Sequence, residues 1–263
     1  MKDKSKKINL RRILINIPRI NNLDQDPILI GGCGRTGTSL MSAILDAHPD
    51  IISYPAETNI FESDRKFRSP RLNSFRNKVR FYRFLIRQDI PKGCRRWCEK
   101  TPSNIDALDH IFKEFRNQVK IVLMIRDGRD VITSLHPLSK GYYISLKRWI
   151  IDTSLTLQYS SHENVLIVPY ESLTVHFEAT MKKILDFLGN SFDDKVKEYT
   201  KFSGVQSHDA FHGNKLTGIS TGSVERWRQD RHKERVALLT ESPEAMDVLE
   251  RVEQYRKDFE QDD

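Results

Sequence analysis

A chain of 263 residues, 38% of them hydrophobic, can bury one sizeable core, and a formal charge of +7 favours anionic partners: nucleotides, sulfated sugars, acidic peptides or nucleic acid. Three cysteines, Cys33, Cys94 and Cys98, are an odd and sparse set that suits neither a disulfide-stapled secreted domain nor a zinc site, so a reducing, cytoplasmic setting is expected.

The chain opens on a stretch rich in Lys and Arg whose apolar residues, Ile13, Leu14, Ile15 and Ile17, are too few for a signal-peptide core or a bilayer span. Residues 1–26 are therefore expected to be a basic N-terminal arm, frayed or forming a short edge strand, ahead of one domain covering 27–263. Short apolar runs predict strands at 28–30, 51–54, 96–98, 120–125 and 165–168. Helical spacing predicts helices at 39–47, 73–86, 104–115, 129–135, 146–160, 175–188, 193–201 and 243–257. Within 175–188, Phe177, Met181, Ile184, Leu185 and Leu188 form a stripe for one core-facing side. Strands alternating with helices predict an α/β fold, a mainly parallel sheet flanked by helices. The segment 203–235 lacks apolar periodicity and reads as a long loop with at most one short helix.

Two segments carry the chemistry. Pro27-Ile-Leu-Ile-Gly-Gly-Cys-Gly-Arg-Thr-Gly-Thr-Ser-Leu-Met41 is a buried strand, a loop of glycines and hydroxyl residues, then a helix start. Glycines let backbone N–H groups approach an oxyanion, and the helix N-terminus adds about half a unit of positive charge. The segment has the G-x₄-G spacing of an ATP-binding loop, but Thr38 stands where the lysine that reaches the β/γ-phosphates belongs. The second segment, Val119-Lys-Ile-Val-Leu-Met-Ile-Arg-Asp-Gly-Arg-Asp-Val-Ile-Thr-Ser134, is again a strand that ends in a cation, Arg126, just before a helix. Ligands of open α/β sheets sit beyond the carboxyl ends of the strands, which puts Arg126 near the first loop if the two strands are neighbours. A surface salt-bridge cluster capping the helix is the alternative for Arg126, Asp127 and Arg129.

These two motifs, in this order, resemble the PAPS-dependent sulfotransferase family, where PAPS is 3′-phosphoadenosine 5′-phosphosulfate, and lie nearest its tyrosylprotein branch and bacterial relatives. Further similarity lies in Leu45-Asp-Ala-His-Pro49, Ala56-Glu-Thr58, Cys98-Glu-Lys-Thr-Pro102 and Val168-Pro-Tyr-Glu-Ser-Leu173. The resemblance implies a P-loop-like single domain in which Gly34, Arg35, Thr36, Gly37, Thr38 and Ser39 bind the 5′-phosphosulfate, and Arg126 and Ser134 the 3′-phosphate. It implies Tyr170 as an adenine or ribose contact, Ser220 as a late active-site serine, Glu57 as general base, and Lys100 with Arg35 as stabilising cations. The donor is then PAPS, the product 3′-phosphoadenosine 5′-phosphate (PAP), and no metal is required. His136 is a weaker candidate base, and His48 is accounted for as a helix C-terminal cap. The acceptor stays open among carbohydrate, tyrosyl peptide, lipid and small molecule, with no nucleic acid and no membrane span expected. Two rivals remain: an ATP-dependent small-molecule kinase, and a non-catalytic module binding a nucleotide or sulfated glycan. The basic run Arg226, Arg228, Arg231, His232, Lys233 and Arg235 is either a solvated face or a cover over an anionic ligand.

Overall fold

The computed structural model describes residues 10–61, 79, 83, 85–86, 90–136, 141–207, 218–219 and 221–261. Its centre is a five-stranded parallel sheet: β1 (Ile28–Gly32), β2 (Ile51–Ser53), β3 (Arg96–Lys100), β4 (Lys120–Ile125) and β5 (Val165–Pro169), in the spatial order β2-β3-β1-β4-β5. Each strand overlaps a predicted one; β1, β4 and β5 show the near-continuous hydrophobicity that a parallel sheet covered on both faces demands, whereas β3 carries Arg96, Glu99 and Lys100.

Alternation divides each strand between two cores. Ile28 and Ile30 of β1 join Val122 and Met124 of β4 on one face, while Leu29, Ile121, Leu123 and Ile125 face the other. Helix α1 (Leu10–Asn21) precedes the sheet, where the basic composition predicts an arm or edge strand; beyond its C-terminal end Leu23, with Ile20, packs against Ile52, Ile90 and Cys94. The first face is covered by α2 (Thr38–Asp46), and the second by a 3₁₀ turn (Pro102–Ala107) leading into α3 (Leu108–Phe115). The predicted helix 104–115 is thus divided between that turn and α3.

After β4 comes the short α4 (Gly128–Ile132), whose cap is the Asp127 carboxylate accepting the Arg129 N–H at 2.8 Å. Helix α5 (Leu146–Leu157) starts under the Ser145 hydroxyl, and α6 (Tyr170–Val175) follows β5 directly. Helix α7 (Phe177–Leu188) buries Met181, Ile184, Leu185 and Leu188 as its stripe predicts, with Phe177 packed against the same core. It ends at Gly189, whose φ of 72° is the left-handed cap glycine adopts most readily. The predicted helix 193–201 resolves into a 3₁₀ turn and a single turn of α-helix, α8 (Tyr199–Phe202). The chain closes with α9 (Lys233–Thr240) and α10 (Pro243–Gln261), the latter burying Val252 against the second face. The expected helix 73–86 falls mostly outside the described residues. Helix α9 starts inside the segment read as a loop, because its weak amphipathic signal hides its contacts through Leu239 with Trp149 and Val248.

Gly32 ends β1 at φ 132°, and a Cβ there would sit 2.4 Å from the Met124 carbonyl oxygen of β4. Backbone cannot give way as a side chain can, so Gly32→Ala is expected to lower stability by roughly 1–3 kcal/mol. Urea denaturation measures it; a variant as stable as the parent would contradict this close approach of β1 to β4.

Candidate active site

All five strands run the same way, so every strand-to-helix turn emerges at one edge of the sheet. That edge collects Glu57 after β2, Lys100 at the end of β3, the loop 33–37 after β1, Arg126 after β4 and Tyr170 after β5. The middle position of β1 is what sets its loop between Lys100 on one side and Arg126 on the other.

The loop is tied from within and from both flanks. Thr36, fully buried, donates its hydroxyl to the Cys33 carbonyl at 2.7 Å. Arg35 takes a left-handed φ of 72°, a conformation costing an L-residue about 1–2 kcal/mol, and its carbonyl accepts from Arg126 Nη1 at 3.1 Å. Gly37 opens α2 at φ 98° with the Tyr170 ring so close that a Cβ would lie 2.5 Å from it. Thr38, buried, and Ser39, half-buried, occupy the first positions of α2, where unbonded N–H groups face outward along the helix axis.

Arg126 is buried, and its guanidinium stacks on the Tyr170 ring at 4.3 Å. Its Nη2 donates to the Ser223 carbonyl and lies 3.6 Å from the Asp130 carboxylate, while its Nε is buried with no hydrogen bond. The Tyr170 hydroxyl meets the Ser223 hydroxyl at 2.5 Å. Loss of hydration pushes the Arg35 guanidinium below its ordinary value, and the neighbouring cations Arg126 and Arg226 push the same way. Arg35 and Arg126 thus stand side by side at this edge, where an anion would relieve their mutual repulsion.

Glu57 and Lys100 come together as one unit. Lys100 Nζ, only 2% exposed, donates to Glu57 Oε1 at 2.6 Å, whereas the Glu57 side chain is 45% exposed. Glu57 is thus the ion-pair partner of Lys100. Behind it, the buried Glu99 carboxylate accepts from the Thr58 hydroxyl at 2.8 Å, the Thr58 N–H at 3.3 Å, the Thr101 hydroxyl at 2.6 Å and Asn104 Nδ2 at 2.8 Å. Those four donors hold the residue next to Glu57 against the end of β3.

Other expected residues lie differently. Ser134 is buried on the Arg126 side but spends its hydroxyl hydrogen on the Asp130 carbonyl at 2.8 Å. Asp127 and Arg129 do form a salt-bridge cap on the helix, at 2.6 Å, with Glu253 at 3.0 Å from Arg129. His136 lies against the Tyr143 ring, with centroids 5.1 Å apart and planes tilted by 32°. His48 Nδ1 accepts from the Asp50 N–H, so Nε2 is the donor to the Ser191 carbonyl at 2.9 Å, a structural role. Ser220 lies outside the described residues; the hydroxyl found against Tyr170 is that of Ser223. In the basic run, Arg228 pairs with Glu225 and Lys233 with Asp230, and Arg235 donates to the Ile132 and Ile144 carbonyls. Sequence reasoning missed Glu99, Asp130 and Ser223. Only Asp130 had a usable signal, its i,i+4 spacing from Arg126.

The model of the sulfotransferase family matches residues 27–194, which contain the loop, Glu57, Lys100, Arg126 and Tyr170. The chain belongs to the sulfotransferase family. Among curated proteins it is similar to protein-tyrosine sulfotransferase 1 of Danio rerio, 29% identical in an alignment of length 238 that covers 81% of this chain and 64% of the relative. It is also similar to the protein-tyrosine sulfotransferase of Drosophila melanogaster, 26% identical over 78% of this chain and 44% of that protein. This sulfotransferase chain thus spans about half to two thirds of the length of those relatives. Among solved structures, the sulfotransferase domain of the Synechococcus PCC 7002 olefin synthase aligns over 86% of this chain and 94% of its own, with TM-score 0.59 and 18% identity. A mouse sulfotransferase solved with PAP aligns over 95% of each chain, with TM-score 0.52 and 18% identity. Both likenesses bear on the fold. The similarity to protein-tyrosine sulfotransferases points away from the cytoplasmic setting expected from the cysteines. Among the described residues no helix is long and apolar enough to cross a membrane.

Glu99→Gln replaces one acceptor oxygen by a donor amide within a buried set of donors. It is expected to lower stability by about 1–3 kcal/mol, read from the denaturation midpoint. An unchanged midpoint would mean that the carboxylate is not the anchor of the Glu57 loop.

Proposed function

We propose that this sulfotransferase moves the sulfuryl group of PAPS to an acceptor hydroxyl or amine, with Glu57 as general base and Lys100 and Arg35 as the stabilising cations. The observation that carries the reading is the buried Arg126, its Nε unbonded and its Nη1 on the Arg35 carbonyl, at the same sheet edge as the Glu57–Lys100 pair. These residues fit a nucleotide with an anionic group at each end: Arg126 stands beside a loop whose Gly34 and Gly37 pass close against Ile144 and Tyr170, leaving its backbone N–H groups uncovered by side chains of their own.

Gly34, Arg35, Thr36, Gly37, Thr38 and Ser39 would hold the 5′ end of PAPS through the N-terminus of α2. Arg126 and Ser134 would hold its 3′-phosphate, Ser134 only after giving up its bond to the Asp130 carbonyl, and Tyr170 would border the ribose. Bound PAPS supplies an electrophilic sulfuryl group and a leaving phosphate whose charge grows as the bridging S–O bond lengthens.

This chain's own residues do the rest. Lys100 has two further N–H donors beyond the one held by Glu57, so it can face growing negative charge while fixing the base. Arg35 brings a second cation to the loop, set beside Arg126 by the bond from Arg126 Nη1 to its carbonyl, where it attracts charge that develops nearby. Glu57 Oε2, without a hydrogen bond among the described residues, is open to take the acceptor proton. Thr38 in place of a phosphate-gripping lysine disfavours the kinase reading. Retention of Glu57 and Lys100 as a bonded pair disfavours the binding-module reading. Since the curated relatives bear the name protein-tyrosine sulfotransferase, a tyrosyl peptide is the first acceptor to screen, with carbohydrate, lipid and small molecules beside it.

Calorimetry with PAP, AMP and ATP·Mg tests the donor. PAP is expected to bind best, and Arg126→Ala to weaken it about 100-fold, in keeping with the loss of charge-assisted hydrogen bonds. Preference for ATP·Mg overturns the reading. Once an acceptor is in hand, Glu57→Gln is expected to cut turnover roughly 10²–10⁴-fold while PAP affinity stays as in the parent.

A further inference from the structure

The segment 221–228 crosses the Arg126 site as a strap of two 3₁₀ turns. It is fixed at three places. The Ser223 carbonyl accepts from Arg126, and its hydroxyl is hydrogen-bonded to that of Tyr170. The Trp227 indole lies between two guanidinium groups, Arg129 at 4.4 Å and Arg228 at 4.5 Å. Finally, the Glu225 N–H donates to Asp130 Oδ2 at 2.8 Å and the Trp227 N–H to Asp130 Oδ1 at 3.1 Å.

We propose that Asp130 is a positioning residue for phosphate recognition, holding the strap and the Arg126 guanidinium as one unit over the loop that follows β1. The proposal rests on the sulfotransferase reading of that site. Asp130 is 3% exposed and sits one helical turn from Arg126 on α4. Its carboxylate gives its two shortest contacts to strap amides, and stands 3.6 Å from Arg126 Nη2, beyond hydrogen-bond length. It therefore balances the charge of Arg126 without consuming the guanidinium donors. Those donors rest on two neutral carbonyls, of Arg35 and Ser223. An anionic phosphate oxygen outcompetes a neutral carbonyl for a guanidinium, since charge-assisted bonds are about twice as strong. When Ser223 yields its place, the Asp130 amide bonds are what keep the strap over the site. Glu225, at a left-handed φ of 60°, is the strained residue those bonds retain.

The test is Asp130→Asn in the full chain, read three ways. Hydrogen exchange of the 224–228 amides in the nucleotide-free protein is expected to quicken by about tenfold, because the amide group can accept from only one strap N–H and opposes the other with a donor. The Kd for PAP is expected to rise about tenfold, the worth of one lost charged hydrogen bond, while the Kd for AMP, which lacks the 3′-phosphate, stays within about twofold. Asp130→Glu, which keeps the charge, is expected to recover part of the PAP affinity and serves as the second variant should Asp130→Asn not fold. Unchanged strap exchange, or equal losses for PAP and AMP, would overturn the role of Asp130 alone. A parent protein that fails to bind PAP would overturn the donor reading on which the proposal stands.

Discussion

Everything at the active edge depends on the common direction of the five strands. A parallel sheet cannot use tight hairpins; each strand must hand over to a crossover that returns the chain to the opposite edge. The turns at the carboxyl ends are therefore free to be short and chemically loaded, and each delivers one functional group: a carboxylate, a lysine, a glycine-rich loop, an arginine and a tyrosine. Both faces must then be apolar, which is why β1 is buried at every position. Had β1 not been central, Lys100 and Arg126 would not flank the same loop.

Charge at this edge is balanced in two different ways. On the β3 side, Lys100 is compensated directly by Glu57 at 2.6 Å, a short ion pair that leaves the outer carboxylate oxygen available. On the β4 side, Arg126 is compensated indirectly: an aromatic face, two carbonyls and a carboxylate just out of hydrogen-bond reach. At 3.6 Å the Coulomb attraction between unit charges is about 4–5 kcal/mol for an effective dielectric constant near 20, enough to hold a buried guanidinium in place. Neutral carbonyls can still be exchanged for an anion. The first arrangement suits proton transfer, the second suits binding and release of a phosphate.

How much of this could be read in advance follows from how local each signal is. Strands β1, β4 and β5 were legible because burial on both faces writes a continuous apolar run, and α7 because one buried face writes a stripe at helical spacing. Helices α6 and α9 were not, since α6 starts at the end of β5 without a break and α9 buries Leu239 but little else along its length. The phosphate loop and Arg126 were legible because glycines at a helix start and a cation at a strand end suit an anion and little else. The role of Glu99 was not, for its four donors come from three separate residues brought together only when the 57–59 turn meets β3 and the turn after it.

By itself the sequence determined which groups this protein carries and in what local frame: strand, glycine loop, helix start, and a cation at the end of a second strand. Backbone propensity and hydrophobic spacing act over a few residues, so such frames are written in contiguous stretches. Only the tertiary structure decided which of those groups meet: that Glu57 pairs with Lys100, that Ser223 stands against Tyr170, and that Asp130 serves a strap some 95 positions further along the chain. Those meetings are set by strand order and by the packing of crossovers, quantities that belong to the whole sheet and have no local spacing to betray them.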